Sequence, residues 1–222
     1  MSCAKFIAGS LIAASVCAAH PVDVDYTGQG ELGGYVSVSY TTFMHHIPGG
    51  DGQAIWAGHN RQRINGQVVD TFGLDLLRKA TTGEHLVQQP GEVFSAEASD
   101  ALNALYHATN GAQVATNEEA VAFQALLWEI VADFSGAASS IDLTVGSLVF
   151  YAGVDGAIFE RFKSMAFDPS RRVDDSQLRV LTRPGYQRQA GVLELFRPVP
   201  LPSGAALALA GLGIVACRRR RV

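Results

Sequence analysis

The chain has 222 residues, 48% of them hydrophobic, with 17 basic and 21 acidic side chains and a formal net charge of −4. All 21 acidic residues but only 12 of the basic ones lie between positions 20 and 200, so this body carries −9. Such a charge excludes the basic footprint that nucleic-acid binding requires and argues equally against docking on anionic lipid. The body, roughly 180 residues, is long enough for one domain with its own hydrophobic core. Cys3, Cys17 and Cys217 all lie outside it, so the body can form no disulfide.

In chain order, Met1 to Ala19 is predicted to be a signal peptide: Lys5 supplies the positive end, Phe6 to Val16 the apolar core, and Cys17-Ala18-Ala19 a small-residue cleavage site before His20. Lipidation of Cys17 is disfavoured because Val16 stands where a small residue is wanted. The first part of the body reads as β. Tyr35 to Tyr40 alternates with period two, Pro48 to Gly52 is a turn cluster, and Gln53 to Gly58 is the expected return strand. Asn65-Gly66 is a further turn, leading into Val68 to Phe72. Gly28-x-Gly30-x-x-Gly33 matches the dinucleotide fingerprint in letters, but it neither follows a predicted strand nor opens a helix. His45-His46 with His59 is read as surface rather than as a metal site, because adjacent strand residues point to opposite faces. No metal or cofactor is expected.

The middle is predicted helical. Ser95 or Ser99 caps a segment through Leu102, Leu105, Tyr106 and Thr109, which Asn110-Gly111 closes. Thr116-x-x-Glu119 is a capping box opening a second helix from Asn117 to about Asp133. Ala120, Phe123, Leu127, Val131 and Phe134 share one face of it, Glu129 and Asp133 lie opposite, and Phe123, Leu127 and Trp128 are expected in the core. Gln124 falls inside the apolar face, and a buried amide without partners costs about 1–3 kcal/mol, so something must hydrogen-bond it. Leu143 to Val145 and Leu148 to Phe150 then look like strands, Asp155 to Phe167 like an amphipathic helix, and Leu178 to Leu181 and Ala190 to Phe196 like the last strands. The predicted fold is α+β: an antiparallel β-sandwich or open barrel with a helical insertion near 95–135.

The tail joins Pro198-Val199-Pro200-Leu201-Pro202-Ser203 to an apolar run from Gly204 to Cys217 and then to Arg218, Arg219, Arg220 and Arg221. The prolines hold the entry extended. The arginines cannot follow the run across a bilayer, which puts the body on the far side. At 14 residues the run is short for the ~20 of a comfortable span, as in a segment handled and then removed. Val199 to Ser203 with the run and the arginines resembles the PEP-CTERM sorting signal, with Leu201 in place of the usual Glu; the plain alternative is a tail anchor. That resemblance implies export across the inner membrane of a Gram-negative bacterium. It also implies processing by export translocase, signal peptidase and exosortase, a transient anchor through a short C-terminal transmembrane helix, and association with exopolysaccharide.

A second resemblance lies in the body. Ala122 to Ile130 (AFQALLWEI) is similar to the Gln segment of Cys-Gln thioester domains; Thr71 to Leu76 resembles the strand that carries the cysteine, Asp100 to Tyr106 the helix before the Gln segment, and Gly185-Tyr186-Gln187-x-Gln189 the closing strand. Gly73 stands where the family has its cysteine. Without a thiol no internal thioester can form, so Gly73 and Gln124 are degenerate thioester positions and only the scaffold is implied. The expected organisation is 1–19 signal peptide, 20–196 thioester-domain-like body and 197–222 sorting signal. The body lacks Gly-x-Ser-x-Gly, His-Glu-x-x-His and phosphate-loop motifs. The expected function is that of an exported, non-enzymatic surface or matrix protein associated with exopolysaccharide or biofilm, the alternative being an envelope enzyme acting on polysaccharide.

Overall fold

A computed structural model of the chain describes residues 20–40, 53–76, 78–168, 170 and 178–192. The signal-peptide and sorting-signal stretches, including Val199 to Ser203 and Arg218 to Arg221, lie outside the described residues, as do His45-His46 and the Pro48 to Gly52 cluster. Among the described residues no helix is long and apolar enough to cross a membrane.

Seven strands form one antiparallel sheet: β1 (His20–Tyr40), β2 (Gln53–Ile64), β3 (Gln67–Gly73), β4 (Gly83–Gln88), β5 (Leu148–Ala152), β6 (Leu178–Thr182) and β7 (Gln189–Val192). Their order is β2-β3-β7-β6-β4-β1-β5, and β1 pairs with β2 as well, so the sheet closes into a ring. The 21-residue β1 makes the closure possible. Its beginning pairs with β4, its end with β5, and most of its length with β2. Register shifts at Tyr26/Gly28 and Gln29/Gly33 mark where it bends. The Gly28–Gly33 glycines therefore serve the sheet. At Gly33 (φ 151°) a Cβ would come to 2.6 Å from the Ala57 carbonyl oxygen, so this approach of β1 to β2 requires glycine.

Three local expectations need correction. The strand predicted at Tyr35 to Tyr40 extends back to His20, where buried Val22 and Val24 alternate with exposed Asp23 and Asp25. β4 has no counterpart in the sequence reading, because its pattern runs against hydropathy: His85 is buried while Leu86 is exposed. Leu143 to Val145 is not a strand; Asp142 Oδ1 accepts bonds from the Thr144 amide (2.8 Å) and hydroxyl (2.7 Å), turning the chain there. The β2–β3 hairpin does turn on Asn65-Gly66, with φ of 49° and 85°.

Three helices complete the fold, α1 (Ala96–Ala108), α2 (Asn117–Ala132) and α3 (Gly156–Ala166). Each begins on a side-chain cap: Ser95 Oγ accepts the Ala98 N–H, Thr116 Oγ1 the Glu119 N–H, and Asp155 Oδ1 the Ile158 N–H. α2 packs on β1 and β2 on one side and on α1 and α3 on the other, so every residue from Ala120 to Ile130 is buried. Phe123 sits in a run of rings, 4.8 Å from Phe72, 5.3 Å from Tyr106 and 5.6 Å from Phe162. Trp128 stacks on Phe150 at 6.4 Å.

The expected polar side of α2 is therefore not a solvent face, because α1 and α3 cover it. Glu129 is 0% exposed and neither carboxyl oxygen makes a full hydrogen bond. Burial, with Asp133 adding to it, pushes its carboxyl from the ordinary 4.5 up to about 8, while the Asp142 amide and Lys163 pull weakly the other way. Lys163 Nζ donates instead to the Ile141 carbonyl at 2.6 Å. At neutral pH Glu129 is held as the neutral acid. The folded chain thus keeps a proton that the unfolded chain releases between pH 4.5 and about 8, and this group's contribution to stability falls as pH rises through that window. Glu129→Gln should flatten the fall and melt higher than wild type at pH 8. Parallel pH–Tm curves for the two proteins would contradict the assignment.

Candidate functional site

The site begins where β2 stops pairing with β3. Their ladder ends at His59–Phe72, one residue short of Gly73. On its other side β3 is joined to β7 by its neighbour, with the Leu74 N–H donating to the Arg188 carbonyl at 2.8 Å. Gly73's own N–H and C=O face away from β7 and would be left unpaired in a buried position. The Gln124 carboxamide takes both: the Gly73 N–H donates to Gln124 Oε1 at 3.2 Å, and Gln124 Nε2 donates to the Gly73 carbonyl at 2.6 Å. A side chain on α2 thus stands in for a strand partner. The structure brings together the two positions, Gly73 and Gln124, that the second resemblance pairs.

Gly73 has no room for a larger residue as its neighbours stand. A Cβ there would come to 2.7 Å from Gln187 Cδ and 2.8 Å from Gln187 Oε1. The Gln187 carboxamide fills the space beside Gly73 and is the middle of a one-way chain of amides. Asn60 Nδ2 donates to Gln189 Oε1 (3.0 Å), Gln189 Nε2 to Gln187 Oε1 (2.6 Å), and Gln187 Nε2 to the Asp75 carbonyl (2.7 Å). Thr71 Oγ1 also donates to Gln189 Oε1 at 3.1 Å. The Gln187 and Gln189 carboxamide oxygens are both satisfied, which a low-dielectric setting demands.

Asn60, Gln124 and Gln187 form the polar floor of an open cleft of about 550 Å³, within the ~300–1,000 Å³ range of small-molecule sites. Aromatic rings make its walls. Tyr35 and Trp56 are cross-strand partners whose rings meet edge to face at 5.6 Å, and Tyr35 is 65% exposed. Tyr26 and Trp128 line it as well. Trp128, expected in the core, is buried there but also lines this cleft, and its indole Nε1–H has no hydrogen-bond partner among the described residues.

The rim carries Arg78 and Lys79. Their segment is tied to the β7 approach by several bonds, among them Gln187 N–H to the Lys79 carbonyl (3.1 Å), Arg188 N–H to Asp75 Oδ2 (2.7 Å), and Arg188 Nε to the same oxygen (2.9 Å). The Arg188 guanidinium lies 4.8 Å from the Phe94 ring, which holds the ion pair in place.

His59, weighed in the sequence as a metal ligand, packs its ring on Phe72 at 4.7 Å, and burial lowers its pKa. Among the described residues no group of three His, Cys, Asp or Glu side chains could hold a metal ion. The sequence reading missed Trp56, Asn60 and the Arg78-Lys79 rim. One signal was present: Gln187-x-Gln189 has strand spacing, which puts both amides on one face.

Because Gln124 alone satisfies both Gly73 backbone groups, Gln124→Ala should destabilise the protein by about 1–3 kcal/mol in a denaturant melt, the cost of orphaning a buried partner. A loss under about 0.5 kcal/mol, the range of an ordinary surface change, would mean that the amide pairing carries no load. No protein-family model, no curated protein and no solved structure matches this chain.

Proposed function

We propose that this chain is an exported, non-enzymatic protein of the cell surface or extracellular matrix, sorted by exosortase through its C-terminal segment, and that it associates with exopolysaccharide through the cleft over Gly73 and Gln124. The observation that carries the binding role is the pairing of exposed aromatic faces with a floor of carboxamides. A sugar ring is apolar on its C–H faces and hydroxylated at its edge, so it stacks on an aromatic wall while amides, which both donate and accept, meet its hydroxyls. Among the described residues that line the cleft there is no carboxylate, imidazole, serine or thiol, which favours binding over hydrolysis.

The ring-shaped sheet with α2 docked through Gln124 is consistent with a thioester-domain-like scaffold of the sandwich or open-barrel kind. In that reading Gly73 replaces the reactive cysteine, Gln187 fills its space, and the domain holds its ligand non-covalently. Export translocase and signal peptidase would act on residues 1–19 and exosortase on 197–222.

Two measurements test the proposal on protein recovered from the envelope and medium. Intact mass should show an N-terminus at His20 and no Arg218 to Arg221; arginines retained on most of the external protein would leave a plain tail anchor. The same protein should co-sediment with acidic or neutral exopolysaccharide, and Trp56→Ala should weaken retention without lowering Tm much. No retention on any polysaccharide would end the binding reading, and release of new reducing ends would replace it with the enzyme.

A further inference from the structure

The charge lining the cleft is of one sign. Arg78 and Lys79 are exposed on its rim, and among the described residues neither has a carboxylate partner. Four other cations have carboxylate partners, Arg61 in Glu31 and Asp70, Arg161 in Glu119, Lys163 in Glu160, and Arg188 in Asp75, whereas Arg63 on β2 is exposed like Arg78 and Lys79 but does not line the cleft. Arg78 and Lys79 stand out as two adjacent cations at an aromatic cleft in a body that carries 21 acidic against 12 basic side chains. Trp128 also lines the cleft, although it is 3% exposed and its indole Nε1–H is closed off from solvent with no acceptor among the described residues. An indole N–H can only donate, and a guanidinium or ammonium can only donate. Gln124 has both its oxygen and one N–H committed to Gly73, which leaves a further N–H rather than a free carbonyl in the first instance. The cleft thus supplies positive charge at its rim and amides and hydroxyls that both donate and accept, while its rings supply stacking faces.

Resting on the glycan reading above, we propose that the ligand is an acidic saccharide, a uronate-bearing chain whose sugar ring stacks on Trp56 and Tyr35 and whose carboxylate is taken by Arg78 and Lys79. A neutral glycan would leave both rim cations unpaired. A free inorganic anion would use the cations but not the aromatic wall. A ligand with both an apolar face and an anionic group matches both, and a carboxylate on a sugar ring supplies that group.

The chain has two tryptophans, and both line this cleft, so intrinsic fluorescence reports its occupancy directly. The exported protein is titrated with polygalacturonate oligomers and, separately, with dextran oligomers of similar length. The uronate oligomers should change the fluorescence at low salt, bind better than dextran, and weaken as salt is raised. Arg78→Ala with Lys79→Ala should lower uronate affinity about tenfold, the combined scale of two exposed charge pairs. The melting temperature should stay unchanged, because both side chains are exposed. Arg63→Ala, an exposed cation on β2 that does not line the cleft, should leave affinity unaltered. Dextran bound as tightly as the uronate, with the double variant unaffected, would overturn the acidic assignment and leave the glycan reading standing. An equal loss from Arg63→Ala would also overturn it, as non-specific attraction. No binding of either oligomer, confirmed by calorimetry, would overturn both.

Discussion

α2 is enclosed on every side, so the one carboxamide at its centre has to find its partners inside the protein, and it finds them on a strand that has the complementary need. Gly73 has lost β2 as a ladder partner and presents a buried N–H and C=O, while Gln124 presents one acceptor and one donor at the matching spacing. Left apart, each side would carry the cost of unpaired buried polar groups; joined, they fix helix and sheet in a single register. The position of α2 relative to β3 follows from this pairing as much as from the Phe72–Phe123 contact beside it.

The cleft is a consequence of the same geometry. Where β2 leaves β3, the sheet opens, and the opening is floored by amides instead of strand backbone. Asn60, Gln187 and Gln189 then order themselves into a directional chain that ends on the Asp75 carbonyl. That chain and the Asp75–Arg188 ion pair hold the segment bearing Arg78 and Lys79 against the β7 approach. A preorganised polar floor of this kind is already ordered before a ligand arrives, which lowers the entropic cost of binding.

Glu129, five residues along the same helix, meets the opposite fate. No donor satisfies it as Gly73 satisfies Gln124, and its nearest charged neighbours include Asp133 and Asp142 as well as Lys163. The carboxyl is neutralised by keeping its proton. One helix thus shows both ways in which a packed interior accommodates a polar group: pairing where geometry allows it, and loss of charge where it does not.

The sequence by itself determined where the helices start and where the hairpin turns. Side-chain caps at Ser95, Thr116 and Asp155 start the helices, Asn65-Gly66 turns the hairpin, and the burial of Gln124 within an apolar run announced that it needed a partner; such signals depend only on neighbours along the chain. The α+β character was legible for the same reason, as was the pairing of Gly73 with Gln124 through a resemblance in their flanking residues. The tertiary structure alone decided the closure of the sheet, because a ring requires β1 to bend and to pair with three strands that lie far from one another in sequence. It alone decided the burial of Glu129, since a helical projection shows which residues lie opposite the apolar face but not that two further helices cover that side. The cleft belongs to the same class: Trp56, Arg78, Gln124 and Gln187 come from four separate segments, and only long-range packing sets them around one space.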